Sequence, residues 1–394
     1  MSILLSKSFL GTKDHLVLDD GKARWCESFV ETDFVLGERG SASSIEPILE
    51  LYKIEIPELV PEEHRKSINT CGIKNNVPWR YVLPKGIFRK NLKSFVTKMS
   101  EIEKKLSSEK YPGFFVETNE IFKDLKMSRI DYGLANLLNS TNESSVLKNI
   151  MQLQSGSFLP PPTYSRVSSK TGRLTVKGGP QILTLRKDLR QIFESTFDGG
   201  ALFEIDFISL EPRVALNLTD HESSLDDVYQ EFLEVSGVNV TRDTTKLAVL
   251  CALYGAGTRK LENVLKSDGS EMPASQLMQK VRSFFGLSRL SSVLRDQAKS
   301  GFITNYFGRP IDVGEARDSI LINNFLQSTA TDVALHGFCD LVRSFPKCKA
   351  IFIIHDALII DIPASEISIV QKYAESGFVH PELGSFPLKF KRLK

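Results

Sequence analysis

The chain is poor in cysteine, with five in 394 residues, and none is spaced to act with another. Cys26, Cys71, Cys251, Cys339 and Cys348 are odd in number and widely scattered. No pair has the two-residue spacing of a zinc or thiol–disulfide site, so reduced, buried thiols are expected. No run of about 18 apolar residues is present, which argues against a transmembrane helix and a membrane partner. The opening MSILLSKSFLGTKDHL lacks the basic-then-apolar order of a signal peptide, so a cytoplasmic location is expected. Internal repeats and low-complexity tracts are also missing. Charge of one sign is not in excess, since 50 Lys and Arg face 48 Asp and Glu. Apolar residues at 41% and charged residues at 25% exclude a disordered or fibrous chain. The length suffices for two or three domains, each with its own core.

Locally the charge is less even. Between Tyr164 and Arg190 lie Arg166, Lys170, Arg173, Lys177, Arg186, Lys187 and Arg190, opposed only by Asp188. Gly172, Gly178 and Gly179 fall among them. Such a stretch suits a surface that approaches a phosphate backbone, although a solvated basic face fits the charge equally well.

Residues 1–86 mix short β-like runs (Leu16 to Leu18, Phe29-Val30) with Pro-rich, acidic sequence, and no helix of any length is expected there. A charged amphipathic pattern predicts a long helix from Phe88 to about Lys110. Helical periodicity resumes over Ile121 to Gln154, broken at Asn139 to Ser145, and ends at Pro160-Pro161-Pro162. Ala201 to Phe207 alternates like a strand, with a helix after it. Helical patterns cover 241–256 and 275–300. Ile351 to Ile362 reads as two apolar strands meeting in a hairpin at His355-Asp356-Ala357.

Two of these strands end in an aspartate where apolar sequence should continue. Asp206 closes ALFEID, and Asp356 sits at the turn of IFIIHDALII. A buried, unpaired carboxylate costs several kcal/mol, so each needs a donor or a cation. Either one alone fits a helix or turn cap. Together, on neighbouring strands, they could hold two divalent ions about 4 Å apart, the arrangement that serves phosphoryl transfer.

Arg242, Lys246, Leu250 and Tyr254 recur every fourth residue, one stripe on a helix. Two cations followed by an apolar and an aromatic residue suit a nucleoside triphosphate, phosphates at one end and base at the other. A plain amphipathic helix fits as well. Basic residues at a helix N-terminus oppose the helix dipole, however, a conflict a bound anion would relieve.

Taken in order, these segments resemble the polymerase core of family A DNA polymerases, the DNA polymerase I type. Thr171-Gly172-Arg173-Leu174 is similar to the family's TGRL element. Asp206 to Arg213 (DFISLEPR) resembles its first catalytic motif, D-Y-S-x-I-E-x-R. Arg242 through Lys246 to Tyr254-Gly255 resembles its fingers helix, and His355-Asp356-Ala357 its H-D-E motif. Gly301-Phe302, Gly308-Arg309, Asn323, Gln327, Thr329 and Asp332 are weaker echoes. The likeness spans roughly residues 160 to 394.

The resemblance implies an α+β right-hand polymerase with an antiparallel palm sheet, helical fingers and a short helical thumb, plus a small N-terminal module. The expected domains are an N-terminal module of unknown role at 1–86, a thumb at 87–160, palm at 161–217 and 306–394, and fingers at 218–305. It implies template-directed extension of a primer 3′-hydroxyl with dNTPs on primer–template DNA, without an exonuclease domain and with replication accessory proteins as further partners. Asp206, Asp356 and the carbonyl of Phe207 would hold two Mg²⁺ ions, for which Mn²⁺ could substitute. Arg242 and Lys246 would hold the triphosphate, Lys246 protonating the leaving pyrophosphate, with Leu250 and Tyr254 at the base and Tyr229 as a phosphate donor. Glu211 would crowd the sugar 2′ position. Arg166, Lys170, Thr171, Arg173, Arg213, Asn323, Gln327 and His355 would contact DNA.

Departures mark a compact, divergent, phage-like member. Ala357 replaces the second acid of H-D-E, Leu250 an aromatic residue, and Ile208-Ser209 a Ser-Gln pair; Pro212 is unusual and Lys177 to Gln181 only partly matches. A single-subunit RNA polymerase is disfavoured by Glu211 and Ala357. A degenerate polymerase fold acting as a DNA-binding replisome scaffold is disfavoured by the joint presence of Asp206, Asp356, Arg242 and Lys246.

Overall fold

The computed structural model describes residues 1–37, 43–72, 77–142, 144–219, 221, 227–255, 258–314 and 317–393. The chain divides into two compact units, Met1–Lys123 and Asp124–Lys394, and the division falls inside the 87–160 segment expected to be one domain.

In the first unit, β1 (Ser2–Leu5), β2 (His15–Asp19), β3 (Lys22–Cys26) and β4 (Phe34–Leu36) form a sheet in the order β3-β2-β1-β4. β1 pairs antiparallel with β2 and parallel with β4. The run Leu16 to Leu18 is a buried strand as expected, whereas Phe29-Val30 forms none. Helices over Glu46–Leu51 and Glu62–Thr70 were not expected. The second has no buried residue, so it carries no apolar stripe to read; Pro61 before it and Glu62 and Glu63 in its first turn start it instead. The long helix α1 (Lys85–Ser107) buries Phe88, Phe95, Met99 and Leu106, spacings that keep one face inward. A further helix, α2, runs over Lys110–Asp124.

The second unit begins with the strand Ser128–Ile130 and the helices α3 (Tyr132–Asn142) and α4 (Ser145–Leu153). The sequence showed helical periodicity here but not the intervening strand. α3 also runs on through residues 139–142, part of the expected break, and residue 143 lies outside the described residues. The central sheet consists of β5 (Ala201–Phe207), β6 (Lys349–Ile354), β7 (Ala357–Ile362) and β8 (Leu388–Arg392) in the order β6-β7-β5-β8. All of its pairings are antiparallel. β6 and β7 are the expected hairpin.

One face of this sheet packs Leu202, Phe352, Ile354 and Ile359 against Leu147, Ile150, Ile182, Ile192 and Phe193. On the other face Phe207 meets Phe338 and Phe378 at centroid distances of 5.7 and 6.2 Å. Phe338 lies on α11 (Asp318–Ser344), whose Gly337 leaves room for the Phe207 ring, since a Cβ there would lie 2.8 Å from Phe207 Cζ.

Between β5 and α11 the described elements are mostly helical: α5 (Leu210–Asn217), α6 (Val228–Ser236), α7 (Arg242–Tyr254), α8 (Arg259–Ser267), α9 (Ala274–Phe284) and α10 (Leu287–Ala298). The pattern expected over 275–300 is two helices, because Gly286 takes φ +59° between them. α8 was not expected. α7 ends at Tyr254 with Gly255 in the left-handed conformation, and residues 256 and 257 lie outside the described residues. Among the described residues no helix is long and apolar enough to cross a membrane.

Candidate active site

Antiparallel register brings the two aspartates together. Asp206, the sixth residue of β5, is the Cα partner of Ala357, and Asp356 immediately precedes Ala357 in the hairpin turn. The backbone N–H of Phe207 donates to the carbonyl of Asp356 at 3.2 Å. The turn is made by His355, which takes φ +58°, a conformation few non-glycine residues adopt, and which leaves its imidazole exposed.

The environment of both carboxyl groups opposes ionisation. Burial, then the neighbouring Asp356 and Glu204 charges, push Asp206 up to about 7, with Lys187 and Lys389 pulling the other way. Burial, then Glu211, pushes Asp356 up as well. Two partly buried carboxyl groups that each resist ionisation fit a divalent cation, because a metal supplies the compensating charge that the protein leaves out. Among the described residues no three His, Cys, Asp or Glu side chains gather as a ligand set, and alanine at 357 is one reason. A metal reading therefore rests on two carboxylates and the adjacent Phe207 carbonyl.

Beside Asp356 a cavity is lined by Arg173, Glu211, Gln327 and His355. Arg173 Nη2 donates to Glu211 Oε1 at 2.9 Å. The Gln327 amide, oriented to donate to Thr171 Oγ1 at 2.7 Å, accepts from Arg173 at 3.0 Å. Asn323 stands half-buried one turn before Gln327 on α11, and Lys170 is exposed. Burial, then the Glu211 carboxylate, raises the Tyr254 hydroxyl.

The α7 stripe keeps the expected orientation. Thr244, Thr245, Ala248, Val249 and Ala252 are buried, while Arg242 and Lys246 are exposed and Leu250 and Tyr254 partly so. Arg242 is held from outside α7: its Nε donates to Asp227 Oδ2 at 2.5 Å, and its guanidinium lies 5.2 Å from the centroid of Tyr229. Tyr229 itself is almost wholly buried.

Three residues expected to contact DNA, Thr171, Arg166 and Arg213, are buried. Arg166 and Arg213 are each at 3% exposure, and neither can meet a backbone in solvent as it stands. Arg166 Nη2 binds Asp332 Oδ1 at 2.8 Å, and Arg213 Nη1 lies 3.9 Å from Glu231 Oε2. Burying a guanidinium demands such a partner, and charge counting along the sequence did not see these acids so far away in it. Arg190, also counted in the basic stretch, is likewise buried and bonded to Glu204 at 2.7 Å.

Sequence reasoning named Arg309 and Asp332 only as echoes of the family and missed the buried frame they form behind Arg173. Asn305 Nδ2 donates to Asp332 Oδ2 at 2.7 Å, and Arg309 Nη2 donates to the Arg166 carbonyl at 2.9 Å. Gly172, at φ +78°, leaves only 3.1 Å between a would-be Cβ and Arg309 Cζ, so glycine suits both the turn and the close approach. An arginine flanked by Gly308 and Pro310 was the available signal.

This architecture is that of a solved polymerase domain. No family model matches the chain. It is 25% identical over 211 residues to a DNA polymerase of Mycobacterium phage L5, covering 51% of this chain and 34% of that protein. It is 24% identical over 343 residues to DNA polymerase I of Treponema pallidum (strain Nichols), covering 78% of this chain and 32% of that protein. The chain thus spans about a third of the length of these curated relatives. Its fold matches the POL domain of Pol1 from M. smegmatis, solved in complex with DNA primer-template and dNTP. That match has a TM-score of 0.58 at 14% identity and covers 90% of this chain and 82% of that one. Together these likenesses give the chain the fold of a polymerase domain and similarity over part of their length to proteins named DNA polymerase.

Proposed function

We propose that the chain is a DNA-directed DNA polymerase that extends a primer 3′-hydroxyl with dNTPs on a DNA template. The observation that carries this reading is the register that sets Asp206 beside Asp356, with the Arg242–Lys246 stripe on a separate helix of the same unit. In this reading 161–217 and 306–394 act as palm, 218–305 as fingers and 87–160 as thumb. The reaction needs no exonuclease residue from 1–86.

Asp206, Asp356 and the Phe207 carbonyl are the groups that would hold two divalent ions, Mg²⁺ or in its place Mn²⁺. Bound there, the ions supply charge stabilisation for in-line phosphoryl transfer. The chain's own residues bind and orient. Arg242 and Lys246 present donors to the triphosphate, and the Lys246 ammonium can give a proton to the departing pyrophosphate oxygen. Tyr254 offers its ring to the base. Glu211, held by Arg173, stands where a ribose 2′-hydroxyl would have to fit. Gln327, Asn323, His355, Lys170 and Arg173 supply donors for the primer–template. The host cytoplasm suits such an enzyme, as do replication accessory proteins.

Primer extension with dNTPs and with NTPs tests the reading, comparing the wild type with Asp356→Asn. Wild-type extension by dNTPs alone, lost in the variant, is expected. Equal extension by both proteins would remove Asp356 from the site. DNA binding without extension in either Mg²⁺ or Mn²⁺ would leave a scaffold.

A further inference from the structure

The face of the central sheet that carries Asp206 also carries a set of cations with no task in the mechanism above. In an antiparallel sheet, directly opposed residues point to the same side. Asp206 is opposed on one flank by Ala357 and on the other by Lys389 of β8. Two residues along, Glu204 is opposed by Lys391. β8 is an edge strand, and both of its lysines are exposed. Lys187 reaches the same face, 3.4 Å from Glu204, with 74% of its side chain exposed.

These lysines exceed what the local carboxylates require. Glu204 already has a buried partner in Arg190 at 2.7 Å. Arg190, Lys187, Lys389 and Lys391 therefore stand against three carboxylates, Glu204, Asp206 and the neighbouring Asp356, and Ala357 adds no charge. Edge-strand lysines can serve merely to block strand addition. Here, though, they are aligned with a reacting centre rather than scattered.

We propose that Lys389, with Lys391 and Lys187 beside it, binds the phosphodiester backbone of the primer strand next to its 3′ end. The inference rests on the polymerase reading. A 3′-hydroxyl placed at Asp206 would carry its own last phosphodiester one nucleotide away, a distance that a lysine side chain on the adjacent strand spans. The incoming triphosphate has separate cations, Arg242 and Lys246 on α7. Lys389 is a binding residue, not a catalytic one.

The test is equilibrium binding of a labelled primer–template, and of the template strand alone, to the wild type, Lys389→Ala and Lys389→Arg across a salt series, with dNTP KM measured in parallel. One lost phosphate contact lowers the log–log salt slope by about one, and a loss of roughly threefold to tenfold in primer–template affinity is expected for the alanine variant. The arginine variant should bind like the wild type. Binding to the template strand alone should be unchanged, and KM for dNTP should stay within about twofold. Wild-type affinity and slope in Lys389→Ala would overturn the proposal, as would an equal loss on the lone template strand or an effect confined to dNTP KM. A wild-type protein that bound no primer–template would instead overturn the polymerase reading itself.

Discussion

Arg242 on α7 is bonded through Nε to Asp227 Oδ2 at 2.5 Å, so the residue proposed to meet a triphosphate already holds one carboxylate. Asp227 also caps α6, accepting from the Tyr229 N–H at 2.9 Å and from Gln230. A triphosphate must compete with this carboxylate for the guanidinium. Asp227→Asn keeps the capping oxygen and removes the charge. Exposed ion pairs contribute up to about 1 kcal/mol, so dNTP KM should fall by up to about fivefold with kcat little changed. Asp227→Ala should in addition lower stability by about 1 kcal/mol through loss of the cap. A rise in KM for the asparagine variant would show that Asp227 positions Arg242 rather than competing for it.

The carboxyl group of Asp206 gives a pH signature independent of turnover. Its folded-state value of about 7 lies above the 3.8 of an ordinary aspartate, so the folded protein binds its proton more tightly than the unfolded chain. The ionised group therefore destabilises the metal-free fold, by an amount that grows as pH rises from about 4 to 7 and is level above that. Asp206→Asn should raise the melting temperature of the metal-free protein at pH 8 more than at pH 5, while abolishing extension. Thermal unfolding in a chelator measures it. A wild-type-to-variant gap independent of pH would deny the raised value.

Glu211 accepts from Arg173 at 2.9 Å with its own side chain only 17% exposed. Truncation should do two things at once. Glu211→Ala should open the 2′ side and raise NTP incorporation relative to dNTP by about tenfold or more, the factor that about 1.4 kcal/mol represents. It should also release Arg173. Single-nucleotide incorporation with matched dNTP and NTP pairs reads the first effect, and an unchanged ratio would take Glu211 out of the sugar gate.

What could be read from the sequence follows from the range of the forces involved. β5, the β6–β7 hairpin and the α7 stripe were legible because period-2 and period-3.6 burial patterns are local. The solvent-facing order of Arg242, Lys246, Leu250 and Tyr254 follows directly from that period. Helix Glu62–Thr70 was hidden because it buries nothing. The exposure of arginines was not legible, since Arg166 and Asp332 meet across 166 positions of chain. Lys389 was missed for the same reason: its place beside Asp206 is a matter of strand register, which residues 388–392 do not reveal by themselves.

The buried frame behind Arg173 offers the sharpest separation of structure from chemistry. Asp332 is 1% exposed and bonds both Arg166 and Asn305. Asp332→Ala leaves a buried guanidinium without its counter-charge, which costs about 3–5 kcal/mol. Asp332→Asn keeps one acceptor and should cost less. Because Arg309 ties Gly172 and the Arg166 carbonyl to the same frame, the loss should reach Arg173 as well. At a temperature where Asp332→Asn is fully folded, primer–template affinity should fall while dNTP KM, set by α7, holds. Denaturant unfolding gives the first quantity and steady-state extension the others. If the asparagine variant lost stability yet bound primer–template like the wild type, the frame would serve the fold alone, and Arg173 would be positioned by Glu211 and Gln327 without it.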